Sequence, residues 1–158
     1  MSGQLVAVDT TLQSVTALFP LGTLHVDNLG NHFRYMQAEG AVTKNLLYTY
    51  DNDVWAVDAP LTTTVAASGE IHPLCASPVA MTDNYYAWVF VGPGRVTLTA
   101  ATALAIVAQA KIYTSAVAGM VDDDASGEIL IPGLVSYDAI ATAATGTFMA
   151  SIGLYVSN

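Results

Sequence analysis

Basic side chains are scarce. Arg34, Lys44, Arg95 and Lys111 are the only permanent cations in 158 residues, against 13 acids, for a formal net charge of -9. Nucleic-acid binders neutralise phosphates with Lys and Arg, so no nucleic-acid partner is expected. The same shortage argues against a hold on an anionic membrane surface. Cysteine is scarcer: Cys75 stands alone, so neither an intrachain disulfide nor a thiolate metal cluster can form. Charged residues amount to 11% and hydrophobic ones to 53%, the reverse of the balance that keeps a chain disordered. No apolar run reaches 18 residues. The longest, Ala100 to Ala110, is interrupted by Thr102 and Gln109 and is too short to cross a bilayer. Met1-Ser2-Gly3-Gln4 carries no basic stretch, so no secretory signal is expected.

What is present is apolar and small. Mean hydropathy is +0.48, and the excess lies in Ala, Val and Leu, often alternating with Thr and Ser. A chain of this length is one compact domain by default. Its apolar surplus, with so little charge, points to further burial against partner subunits.

The pattern along the chain is that of short strands. Residues 1–20 form an extended N-terminal arm, and residues 21–158 a single β domain. Strands are predicted at 21–27 and 32–38 across the turn Asn28-Leu29-Gly30-Asn31, a β-hairpin signature. Others follow at 44–50, 54–58, 84–91, 95–99 and 111–114, and on both sides of Pro132. A last one runs over 147–156. Leu61 to Ser68 is β-prone by composition. The segments with Pro73 and Pro78 read as edge or irregular. Ala100 to Ala110 fits either a short helix or a loop and strand. Intervals of about ten residues with Gly, Pro, Asn and Asp between them suggest an all-β fold, an antiparallel sandwich or barrel. No repeat at a fixed period is visible, which argues against a solenoid or propeller.

Chemistry is hard to find. His25 and His32, on adjacent strands near Asp27, could approach each other, but no third metal ligand is fixed by spacing. Asp122-Asp123-Asp124 with Glu128 is acidic, yet consecutive Asp side chains diverge on an extended chain, and the calcium-loop pattern is absent. Cys75 has only His72 nearby to activate it. No Gly-x-Ser-x-Gly elbow or phosphate loop occurs. No catalytic residue, cofactor or resident metal is expected. The residues expected to carry function are apolar ones of the arm: Leu5, Val6, Val8, Leu12, Val15, Leu18 and Phe19.

Two blocks carry a resemblance. The first runs from Leu21-Gly22-Thr23 through Asn28-x-Gly30-Asn31-x-Phe33-Arg34-Tyr35-Met36-Gln37-Ala38-x-Gly40-Ala41. The second comprises Tyr86-Ala87-Trp88-Val89-x-Val91-Gly92-Pro93, then Ala110-Lys111-Ile112-Tyr113-Thr114-Ser115, Ala118-Gly119-Met120-Val121-Asp122-Asp123, and Ile131-x-Gly133. Together they resemble the capsid decoration (cement) proteins of tailed bacteriophages over about half of the chain. The resemblance implies an all-β protein without enzymatic activity, often a homotrimer. It implies binding to the phage major capsid protein on the exterior of the virion, after synthesis in the host cytoplasm. The alternative is a phage fibre, tail or host-attachment module that binds a receptor or glycan, for which an exposed Trp55 or clustered tyrosines would serve as a platform.

Overall fold

The computed structural model describes residues 8–66, 71–101, 105–125 and 128–156. The chain is all-β, as expected. In order, the strands are β1 (Gln13–Ser14), β2 (Leu24–Val26), β3 (His32–Ala38), β4 (Leu47–Asp51) and β5 (Ala56–Pro60). One helical turn, α1 (Thr63–Ala66), precedes β6 (His72–Ala76), β7 (Tyr86–Phe90) and β8 (Gly94–Thr99). Then come β9 (Lys111–Thr114), β10 (Val121–Asp122), β11 (Leu130–Ser136), β12 (Thr145–Ala150) and β13 (Tyr155–Val156).

Of the two expected architectures, the barrel is the one formed. Strands β5-β4-β6-β7-β3 pair in that order, and β3 returns to β5 through the parallel pairs Gln37–Ala56 and Ala38–Val57. The second sheet has the order β10-β9-β11-β12-β8, and among the described residues its edges meet through one parallel bridge, Ala100–Val121. The two circuits have the same topology.

The likeness extends to residues. In the first barrel Val42 and Met81 exchange both backbone hydrogen bonds, each 2.9 Å. In the second Ile106 and Ile140 do the same, at 2.9 and 2.8 Å. Three residues beyond each of these four lies a left-handed turn residue: Asn45, Asn84, Gln109 and Ala143, with φ between 55° and 63°. Two residues after each turn a strand begins. The fifth residue after Val42, Leu47, pairs with the fifth before Met81, Ala76. Gln37–Tyr86 and Val135–Lys111 repeat that rule. Only Thr99–Thr145 departs from it, because the chain between Thr99 and Ile106 is two residues longer.

Strand alternation then sorts the side chains. One buried cluster fills the first barrel and includes Met36, Tyr48, Val57, Cys75 and Val89. At the matching places in the second barrel stand Leu98, Ile112, Val121, Leu134 and Phe148. The other faces of β3, β4, β6 and β7 (Phe33, Tyr35, Leu47, Leu74, Trp88, Phe90) join this second cluster, so it is shared by both barrels while the first keeps a separate interior of its own. In sequence the duplication shows only as Ser68-Gly69-Glu70-Ile71 and Ser126-Gly127-Glu128-Ile129. Spacers of unequal length hide the rest from a search at fixed period.

Several local expectations need correction. Thr63–Ala66 is a helical turn rather than strand, closed by the Ala66 N–H on the Thr62 carbonyl at 3.0 Å. β6 is no edge: it pairs with β4, β7 and β13. Pro73 is the second residue of β6 and lies opposite Tyr155 of the short strand β13. β11 runs through Pro132 with an irregular register between Leu130 and Val135. The predicted final strand splits into β12, which belongs to the second barrel, and β13, which pairs with β6 of the first. Among the described residues of 100–110 there is no helix.

Candidate functional site

β3 and β7 pair antiparallel with Tyr35 opposite Trp88 and Phe33 opposite Phe90. These four rings form an aromatic flank on the first barrel. The matching pairs on the second barrel are Thr97–Thr147 and Arg95–Met149, so that flank is not aromatic.

The N-terminal arm covers half of the aromatic flank. β1 adds antiparallel to β7 through Gln13–Ala87 and Ser14–Tyr86, and Gln13 Oε1 accepts the Thr82 N–H at 2.8 Å. Phe19 sets its ring edge-on to Tyr35 and Trp88, with centroids at 5.3 and 5.1 Å. The Leu18 N–H donates to the Tyr35 hydroxyl at 3.1 Å. Edge-to-face aromatic pairs add about 0.5–1.5 kcal/mol beyond burial. Together these contacts fix the arm's course.

The arm residues picked out from sequence divide into two sets. Leu5 and Val6 lie outside the described residues. Val8 and Phe19 turn inward and pack on the shared core. Leu12, Val15 and Leu18 face solvent, with 63%, 66% and 67% of their surface exposed. The outward set continues through residues that sequence reasoning had not singled out: Leu21, Leu24, Val26 and Leu29 are also exposed. The alternation Leu24-His25-Val26 held the signal, because His25 packs toward Trp88, with ring centroids at 5.5 Å, and sends its neighbours the other way. Between the arm and the flank runs a groove of about 350 Å³, reached by Leu12, Leu18, Tyr86 and Trp88.

The titratable candidates do not converge. Register pairs His25 with Phe33 and Val26 with His32, so the two imidazoles occupy opposite faces of the hairpin. Asp27 instead holds its own turn: Oδ1 accepts the N–H groups of Leu29 and Asn31 at 2.8 and 2.9 Å, and Oδ2 accepts Asn31 Nδ2 at 2.7 Å. Burial pushes the Asp27 carboxyl up, but those hydrogen bonds and the nearby His25 outweigh it, and the net shift is downward. Asp122 is buried in β10 rather than solvated in a loop, and Asp123 accepts the Val107 N–H at 2.9 Å. Glu128 keeps one buried carboxylate oxygen without a hydrogen-bond partner. Burial, then the charge of Asp122, raises its pKa. Cys75 is fully buried inside the first barrel, and burial drives its thiol far up, opposite to what a nucleophile needs. Among the described residues, no three of His, Cys, Asp and Glu are placed to hold a metal ion.

Trp55 is no free platform. The Arg34 guanidinium lies 4.5 Å from its ring centroid, Tyr50 stacks on it at 6.2 Å, and Gly22 fits against it so closely that a Cβ would overlap the indole.

No protein-family model matches this chain, and no curated protein matches it either.

Proposed function

We propose that this chain is a structural protein of a tailed-phage virion, a capsid decoration protein that binds the outer face of the major capsid protein lattice and stabilises it without catalysis. The observation that carries this reading is the divided arm. Phe19 and Val8 anchor the segment to its own barrel, while Leu12, Val15 and Leu18 are held out to solvent. A row of fixed, exposed apolar side chains stabilises the free monomer little and favours a contact that excludes water. The sequence resemblance points the same way, as does the acidic chain, which suits an outer surface facing away from DNA. Self-association as a trimer would place three such rows around one axis.

The mechanism is linkage. A partner that binds only the assembled lattice shifts the equilibrium toward that lattice, and many weakly held copies act together. The fibre or attachment alternative is less favoured, because the ring contacts on Trp55 leave less of it to stack on a sugar.

The experiment is co-sedimentation of the purified chain with empty capsids of its own phage, followed by cryo-electron microscopy of the particles. Added density on the outer shell supports the reading, and capsids that recover no protein overturn it.

A further inference from the structure

A second cavity lies at the seam between the barrels, away from the arm. It measures about 320 Å³, within the size range of small-molecule sites. Its apolar walls are Phe33, Ala76 and Phe90 from the first barrel and Val96 from the second, all buried. Arg95 is the one cation that reaches it, and it is exposed.

Arg95 makes one contact through its backbone and one through its guanidinium. Its backbone N–H donates to Asn31 Oδ1 at 2.6 Å, and Asn31 is in turn held by Asp27. Gly94 permits this approach, since a Cβ there would fall 2.5 Å from Asn31 Oδ1. The guanidinium carbon lies 4.8 Å from the centroid of the Tyr137 ring. A guanidinium placed over a ring keeps N–H groups available to other acceptors. Among the described residues no acid lines the cavity, although the chain holds 13 acids and four cations. Among the described residues no side chain accepts a hydrogen bond from the Arg95 guanidinium.

We propose that this pocket binds a small organic carboxylate with an apolar body. The body rests against Phe33, Phe90 and Val96, and the carboxylate takes the free fork of Arg95. Planar two-point pairing matches guanidinium to carboxylate. A neutral apolar ligand would leave that cation unused, and a dianion would meet one positive charge where it needs two. The site is separate from the capsid-binding role and does not depend on it.

The test is a nuclear magnetic resonance titration of the full-length labelled protein with 3-phenylpropionate and with its neutral analogue 3-phenylpropanol. The expected result is saturable shifts at Val96, Thr97 and Ser77 with both probes, with Kd of about 1 mM or tighter for the acid. Arg95→Gln should weaken the acid about tenfold and change the alcohol by less than about twofold. Retained alcohol binding also shows that the variant is folded. The proposal is overturned by shifts that do not saturate at these residues, or by an Arg95→Gln protein that binds the acid as tightly as the parent.

Discussion

Gly146 and Ile140 touch where no side chain could stand between them: a Cβ at Gly146 would lie 2.3 Å from both Cγ1 and Cδ1 of Ile140. The matching pair in the first barrel is Ala87 and Met81, both buried in the other cluster. One barrel takes a methyl opposite a flexible thioether, and the other takes nothing opposite a stiff branched chain.

Gly146→Ala should therefore destabilise the protein by about 1–3 kcal/mol through overpacking. Adding Ile140→Met, which copies the first barrel, should recover most of the loss. Urea unfolding of the parent, single and double variants measures both. A double variant no more stable than the single one would mean that the equivalence of the barrels does not extend to their packing.

Trp88 is 3% exposed and sits in the middle of the aromatic flank. Trp88→Ala should cost about 3–5 kcal/mol and free the arm that leans on it. Chemical denaturation reports the cost, and a change below about 1 kcal/mol would contradict the packing described.

Replacing Leu12, Val15 and Leu18 together by Ser should abolish capsid co-sedimentation and leave the melting temperature within a few degrees of the parent, because these side chains lie outside the core. Phe19→Ala should do the reverse in part, loosening the arm and speeding its cleavage by protease. Deleting residues 1–20 should remove capsid binding while the barrels still fold. Full binding by the triple variant would place the contact elsewhere.

Glu128 and Asp27 predict opposite pH responses. The Glu128 pKa is raised by burial and then by Asp122. Its contribution to stability is therefore present in acid and lost as pH rises through the folded-state value. Glu128→Gln should match the parent in acid and melt higher than it near neutrality. The Asp27 pKa is lowered on balance, so its contribution is present near neutrality and lost as pH falls through the folded-state value. Asp27→Asn should melt lower than the parent near neutrality, and the gap should close in acid. Melting curves from about pH 3 to about pH 8 check both signs.

Cys75 is enclosed by the first barrel, with its thiol held protonated. In the native protein it should resist a thiol reagent at neutral pH and react at the rate of unfolding. Rapid labelling without denaturant would show that the barrel opens locally.

Much of the fold could be read from alternation. His32 to Ala38 is expected as a strand and forms with the same ends, and the break at Gly92-Pro93-Gly94 falls where β7 of the first barrel gives way to β8 of the second. Composition could not reveal the closure of the first barrel, because Ala38 meets Val57 across a parallel step that local pattern does not encode. Nor could it reveal the repeat, carried by backbone geometry at Asn45, Asn84, Gln109 and Ala143, four positions with three residue types. Val8 and Leu12 look alike in a string of letters, and only the folded arm tells that Val8 packs on the core while Leu12 faces out. The seam cavity left no mark in sequence, since Arg95 and Phe33 are far apart along the chain and come together only in the folded structure.

The duplicated frame has one further consequence. Matched interiors free the outer walls to differ, and here one wall became greasy and strapped while its twin stayed threonine-rich and bare. A body with internal near-symmetry thus acquires a front and a back. Under the proposed role, such a body would attach by one side only, which would hold its copies on a surface to a single layer.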